Sequence, residues 1–310
     1  MEAVINIIAP IFFLIIVGFL CVRYAFIPQA ALPGLSRFVL YLALPALIFI
    51  KLSSMPLKDV LQFDYLAVYA VSGLITFSIT VFLSWQLFKG GLVKAGVRGV
   101  GATMSNSAFI GFPVLLQFFD YPLTQAFVMA LMVENIILLP VGLIFIETML
   151  GKNDSNGKGL FLVVLKRIST NPLLIALASG LIFSIFELSL PNFVEKGFDL
   201  LAMSAASVAL IVIGGSLVGV SIKGHLSPIL LVAVAKLIVF PVIAALLLLL
   251  TPSMPNELKI AVIIFAAMPM FSSYPIVCGE YGERSFCAST LLITTVLSFF
   301  TLSVLLRFLV

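Results

Sequence analysis

Two short stretches of an otherwise apolar chain combine helix breakers with side chains able to hydrogen-bond a small ligand. The first runs Ser105-Asn106-Ser107-Ala-Phe-Ile-Gly111-Phe-Pro113, the second Pro269-Met-Phe-Ser272-Ser273-Tyr274-Pro275. Proline inside a helix lacks an amide donor and clashes with the preceding turn. Unwound backbone at bilayer depth survives only against protein or a wet cavity. Each break should then open a new half-helix, with Pro113 and Pro275 suited to its first position. The free amides and dipole end of such a half-helix attract an anion. Ser272 and Ser273 can cap that end or donate hydroxyls, and Asn106 offers an amide at matching depth. The chemistry expected is capture of a carboxylate between two helix ends with no full positive charge. A pair of ordinary proline kinks is the plainer alternative.

Three more polar residues fall inside apolar runs: Glu134, Asn135 and Lys236. Ionisable groups near the bilayer centre are costly and usually functional. Lys236 can attract an anion or pair with an acid; equally, it can snorkel to the nearer interface. Glu134 can carry a coupling proton or pair with Lys236; equally, it can make a structural interhelical hydrogen bond. Glu147, Glu187 and Glu280 lie near the ends of runs and read as solvated interfacial acids. Ser216, within Gly214-Gly215-Ser216, reads as a close helix contact.

The elements that must position these groups are membrane helices. Of 310 residues, 62% are hydrophobic and 10% charged, with mean hydropathy +1.27. Soluble domains carry roughly 25% charged residues, so this surface must face lipid. At about 20 residues per crossing, ten spans are expected: 4–22, 33–52, 64–88, 98–118, 123–149, 171–188, 198–220, 228–250, 258–279 and 287–308. No basic segment precedes the first, which reads as a mature helix rather than a cleaved signal. The breaks fall in the fourth and ninth spans.

Orientation follows from the basic residues. Of 17 Lys and Arg, eleven flank one side of the spans and five the other, with Lys236 within a span. The rule that basic loops stay inside then puts both termini outside the cell (inner) membrane.

A polar linker, 151–159, divides the chain into halves, 1–150 and 160–310, of five spans each. Pro10, Gly18 and Pro113 match Pro172, Gly180 and Pro275 at one offset, and Phe119 matches Tyr281. An odd number of spans per half makes the second unit enter from the opposite side. The expected fold is therefore all-α, with two inverted five-helix repeats whose broken fourth and ninth helices cross, an architecture common in secondary transporters.

The stretches 40–49, 105–113, 171–177, 235–241 and 267–269 resemble the auxin efflux carrier family in its short bacterial form, with similarity along the whole chain. The resemblance implies a scaffold of helices 1, 2, 6 and 7, often the dimer interface, and a mobile transport unit of helices 3–5 and 8–10. It implies movement of organic anions such as auxin or malonate- and malate-like dicarboxylates. The crossover positions carry over as Asn106, Gly111, Pro113, Pro269 and Pro275. Two features differ from common family patterns: the central linker is short, and Met270 follows Pro269 where paired prolines are often found.

The leading expectation is a secondary carrier working by alternating access, with a proton or sodium as possible coupling ion. A sodium-coupled symporter of the bile-acid type is the near alternative, with Asn106, Ser107 and Glu280 as oxygen ligands; a non-transporting sensory protein is the distant one. No GxxxxGK[ST] loop, GxSG, paired-aspartate or HExxH motif points to ATP use or catalysis. Cys21, Cys278 and Cys287 form no CxxC pair and His225 stands alone, so no metal site and no cofactor are expected. No basic stripe with interleaved aromatics points to nucleic acid. Cys278, just past the second break, is expected to report substrate binding by its thiol reactivity.

Overall fold

The structure, a computed structural model, describes residues 2–55, 61–119, 121–151, 169–219 and 226–309, with side chains from residue 7 onward. The central linker, apart from Gly151, and several loop cations counted above (Lys58, Lys152, Lys158, Lys166, Arg167, Lys223) lie outside the described residues, as does His225. The described chain is helical. In order the helices are α1 (Glu2–Arg23), α2 (Gln29–Ser53), α3 (Phe63–Leu87), α4 (Gly91–Thr103), α5 (Ser107–Phe119), α6 (Thr124–Met149), α7 (Pro172–Ile185), α8 (Asn192–Ser216), α9 (Leu226–Leu248), α10 (Asn256–Ala267), α11 (Tyr274–Val277) and α12 (Arg284–Leu309). Six of them, α2, α3, α6, α8, α9 and α12, are long and apolar enough to cross a membrane. Helix α1 and the shorter α5 and α7 are also strongly apolar.

The expected fourth span is α4 plus α5, and the ninth is α10 plus the single turn α11. Several helices start earlier than hydropathy suggests: α4 at Gly91, α8 at Asn192 and α12 at Arg284. Polar residues at these ends remain helical because the main-chain hydrogen bonds run on past the apolar stretch.

Four helices carry a widened π-turn: 39–43 in α2, 107–111 in α5, 133–138 in α6 and 235–239 in α9. Two residues beyond each stands a proline: Pro45, Pro113, Pro140 and Pro241. The physical cause is common to all. The proline ring cannot accept the regular four-residue step, and one extra residue in the turn relieves the clash while neighbouring carbonyls find other donors. Three of these turns hold Ser107, Glu134 and Lys236.

Close helix contact is set by small residues. Gly18 of α1 meets the backbone of Ile211 in α8, and Gly214 of α8 meets the backbone of Ile15 and Phe19 in α1. A methyl group at either site would overlap main chain, so only glycine allows this approach. Gly180 of α7 packs in the same way on the backbone of Phe49 in α2. Gly18 and Gly180, matched at one offset in the sequence, therefore hold corresponding pairs, α1 with α8 and α7 with α2. The Gly214 contact fits the packing role read for its segment, and Ser216 turns its hydroxyl back to the Ile213 carbonyl.

Candidate functional site

The helix breaks at Met104–Asn106 and Met268–Ser273 meet. The Asn106 amide donates to the Pro269 carbonyl at 2.8 Å, and the Phe271 amide donates to the Met104 carbonyl at 3.2 Å. Ser105 and Met270 thus form an isolated antiparallel bridge in an otherwise helical protein. The bridge satisfies main-chain groups that unwinding sets free, as burial requires. Side chains extend it: Asn106 Nδ2 donates to Ser272 Oγ at 2.9 Å.

Asn106 also caps α5, its Oδ1 accepting from the Phe109 amide at 3.3 Å. The second half-helix consequently starts at Ser107, earlier than Pro113. That proline stands inside α5 and is tolerated through the π-turn before it. On the other side Ser273 occupies the cap position of α11 without a side-chain cap bond, and α11 runs only from Tyr274 to Val277. The two half-helix starts expected to face each other are therefore unequal, because Gly279 and Gly282 break up the chain beyond α11 into a 3₁₀ turn and a left-handed residue.

Oppositely charged side chains complement the helix ends at the crossing. Ser107 Oγ donates to Glu134 Oε1 at 2.5 Å, placing a carboxyl group at the start of α5. Lys236 Nζ donates to the Ala266 carbonyl at 2.6 Å, placing an ammonium group at the end of α10. Both pairings have the sign the helix dipole favours. Lys236 also donates to Ser105 Oγ at 2.9 Å and lies 4.5 Å from the Phe240 ring centroid. The Tyr69 hydroxyl lies 3.1 Å from Ser105 Oγ and donates to Glu134 Oε1 at 2.8 Å. Lys236, Ser105, Tyr69, Glu134 and Ser107 are all buried. Lys236 is fully enclosed, so it does not snorkel to an interface.

A cavity of about 370 Å³ opens beside the crossing. Its floor is Ser105, Asn106, Ser107, Ser272 and Ser273; its walls include Glu134 and Asn135 on one side and Leu40, Tyr41, Asn171 and Pro172 on the other. The volume lies within the range of small-ligand sites. Asn171 caps α7 through the Leu173 amide and donates to Asn135 Oδ1 at 3.2 Å, so one polar contact joins the two walls.

The structure thus gathers seven of the candidate residues at the cavity: Ser105, Asn106, Ser107, Glu134, Asn135, Ser272 and Ser273. Six others lie behind it. Lys236 acts through Ser105. Pro269 contributes its carbonyl to the bridge. Gly111 gives space to Phe265 and Met268 of the opposing half. Pro113 and Pro275 shape the backbone. Tyr274 turns away, its hydroxyl donating to the Val97 carbonyl at 2.9 Å. Glu280 is not among the residues that line the cavity, which removes one oxygen from the sodium ligand set considered above. Cys278 is fully buried and therefore cannot serve as a reagent-accessible reporter.

Tyr69 was not singled out by the sequence reading. A signal existed: Tyr65, Tyr69, Ser72, Thr76, Thr80 and Ser84 recur at helical spacing along α3, and all six are buried. A polar stripe on a membrane helix marks its inward face.

The family model described as "Membrane transport protein" matches residues 3–306. The chain belongs to this family. That is the family to which the auxin efflux carrier resemblance pointed, and the match covers both helix breaks. Among individual relatives, a Rhizobium meliloti (strain 1021) protein described as a "Putative malonate transporter" is 24% identical over 309 residues, covering 99% of this chain and 96% of the relative. A mouse "Lysosomal cholesterol signaling protein" is 27% identical over 250 residues, covering 75% of this chain but only 28% of that much longer protein. As a family member with six helices among the described residues long and apolar enough to cross a membrane, the chain is a multi-pass membrane transport protein.

Proposed function

We propose that the protein is a secondary carrier for small organic anions of the mono- or dicarboxylate class, malonate-like compounds first among them. The observation that carries this reading is the cavity at the crossed breaks: it is small and polar-floored, and the capped start of α5 forms part of its surface. Asn106, Ser107, Ser272 and Ser273 would bind the carboxylate by hydrogen bonds, with the amides of the first turn of α5 supplying partial positive charge. The relative described as a "Putative malonate transporter" supports the same ligand class.

The same reading includes a proton. Glu134 reaches the cavity wall, where a second carboxylate would be repelled; a proton on Glu134 removes the repulsion, so anion and proton travel together. Lys236, Ser105 and Tyr69 form the hydrogen-bonded chain that holds Glu134 in place. The cavity lies between α2 and α7 on one side and the crossing on the other. That position suits alternating access, with α1, α2, α7 and α8 as scaffold and dimer surface and the remaining helices as the moving unit. Two inverted five-span repeats account for the corresponding Gly18 and Gly180 contacts and for the paired breaks.

The test is uptake of labelled malonate, malate and auxin-like monocarboxylates into proteoliposomes under imposed proton or sodium gradients. Malonate-class uptake driven by an inward proton gradient supports the reading. Uptake that requires sodium and ignores the proton gradient replaces it with the sodium-symport reading. A second reading, a sensory membrane protein, draws on the mouse signaling relative; saturable binding with no flux for any of these anions would favour it.

A further inference from the structure

A second cavity, of about 540 Å³, lies between the ends of α3, α4, α9 and α12 and shares no lining residue with the crossing. Lys89, Lys94 and Arg98 contribute three positive charges to its lining, against one carboxylate, Glu283. That carboxylate is already paired with Lys94 at 2.7 Å. Arg98 is 6% exposed. Its guanidinium is fixed by a 2.8 Å bond from Nη1 to Ser84 Oγ and by stacking on Phe88 and Phe286, at 5.3 and 5.5 Å from the ring centroids. Its Nε is buried with no hydrogen-bond partner among the described residues.

A buried, immobilised guanidinium with an unused donor calls for an acceptor, and its neighbours call for negative charge. Planar, multidentate recognition by arginine backed by lysine suits phosphate oxygens. The position decides the source. The cavity sits where the long apolar helix α3 ends and α4 begins, and Leu87 in its wall and the neighbouring Trp85 expose apolar side chains outward. Acyl chains can lie there while the headgroup enters the cavity, in the manner of basic pockets between membrane helices.

We propose that this cavity binds the phosphate of an anionic phospholipid, anchoring the Gly91 end of α4. The site is independent of the transport reading and would stand if the cargo were something else.

The chain has a single tryptophan, Trp85, next to the Ser84 that holds Arg98. The purified full chain is reconstituted in phosphatidylcholine vesicles containing acyl-brominated phosphatidylglycerol or, at equal mole fraction, brominated phosphatidylcholine. Preferential quenching of Trp85 by the anionic lipid is expected. The preference should weaken by about fivefold for each cation removed, in Arg98→Gln and in the Lys89→Gln/Lys94→Gln double variant, and persist in Lys259→Gln. The lysine variant keeps the buried arginine intact and tests the site even if Arg98→Gln does not fold. Equal quenching by both lipids, or a preference unchanged in the lysine variant, overturns the proposal. Loss of the preference in millimolar inorganic phosphate, but not in equimolar chloride, assigns the cavity to free phosphate and overturns the lipid source.

Discussion

Lys236 and Glu134 make no direct ion pair; they are joined through two hydroxyl groups, Ser105 and Tyr69, with spacings of 2.9, 3.1 and 2.8 Å along the chain. An ammonium can only donate and an ionised carboxylate can only accept. The single Tyr69 proton goes to Glu134, so the Ser105 proton must serve Tyr69, and every bond in the chain then points toward Glu134. At the end of this chain Glu134 still lines the cavity.

This linkage predicts energetic coupling between the two charges. Lys236→Met leaves Ser105 Oγ and the Ala266 carbonyl without their buried donor and should destabilise the protein by about 1–3 kcal/mol. Adding Glu134→Gln should restore part of that loss, with a coupling energy of about 0.5–3 kcal/mol in a double-mutant cycle. Thermal unfolding of the four purified proteins in detergent reads it; additive losses would show that the chain carries no coupling.

Tyr69→Phe keeps the ring and deletes the hydroxyl between Ser105 and Glu134. Removing one partner of a buried hydrogen bond costs about 1–3 kcal/mol. Uptake per folded molecule should fall by about five- to a hundredfold, with the response to a proton gradient affected more than the response to substrate concentration. An unchanged gradient response would remove Tyr69 from the coupling path.

Asn106→Asp separates charge from structure. The carboxylate still accepts from the Phe109 amide and keeps the cap on α5, and the Ser272 hydroxyl can turn to donate in place of the lost Asn106 Nδ2 bond, so the fold should persist. The new negative charge faces the cavity, and carboxylate uptake should drop by at least about tenfold. Asn106→Ala, by contrast, should lose about 1 kcal/mol of stability with the cap. Retained anion uptake in Asn106→Asp would show that the substrate does not approach this residue.

Thiol accessibility should separate the cavity from its surroundings. Ser273 is exposed at the cavity floor, whereas Cys278, one turn on, is buried. Ser273→Cys in a Cys21→Ser background should react with a water-soluble maleimide and be protected by malonate, while the parent Cys278 stays unlabelled. Equal labelling of both would contradict the orientation of α11.

Packing of α1 against α8 is tested by glycine. Gly214→Ala places a methyl group on the backbone of Ile15 and should destabilise by about 1–3 kcal/mol. Gly34→Ala meets nothing nearby and should leave the unfolding temperature essentially unchanged. Detergent melting curves of the two variants give the comparison.

Much of the architecture was readable from residue order. The apolar runs marked most crossings, and Pro269 and Pro275 marked the second break, because a proline ring acts through local geometry alone; Pro113 instead sits inside α5, beyond the first break. The helix starts at Gly91, Asn192 and Arg284 were not readable, since hydropathy reports the apolar stretch and not the end of the hydrogen-bond ladder. The four π-turns were equally hidden, although each precedes a proline: whether a proline kinks, breaks or widens a helix depends on which neighbouring groups take up the freed carbonyls.

Sequence alone determined that the chain lives in lipid, that its helices are interrupted twice, and that Asn106, Glu134 and Lys236 are polar groups at membrane depth. Those properties follow from side-chain transfer energies and backbone sterics, which need no partner. Only tertiary structure decided that the interruptions pair through Asn106 and Pro269, that Lys236 reaches Glu134 by way of Ser105 and Tyr69, and that Tyr274 turns away while Asn171 faces in. The relevant residues are separated by up to 177 positions along the chain. Hydrogen bonds over that span are set by how whole helices pack, because each donor must find its acceptor within about 3 Å.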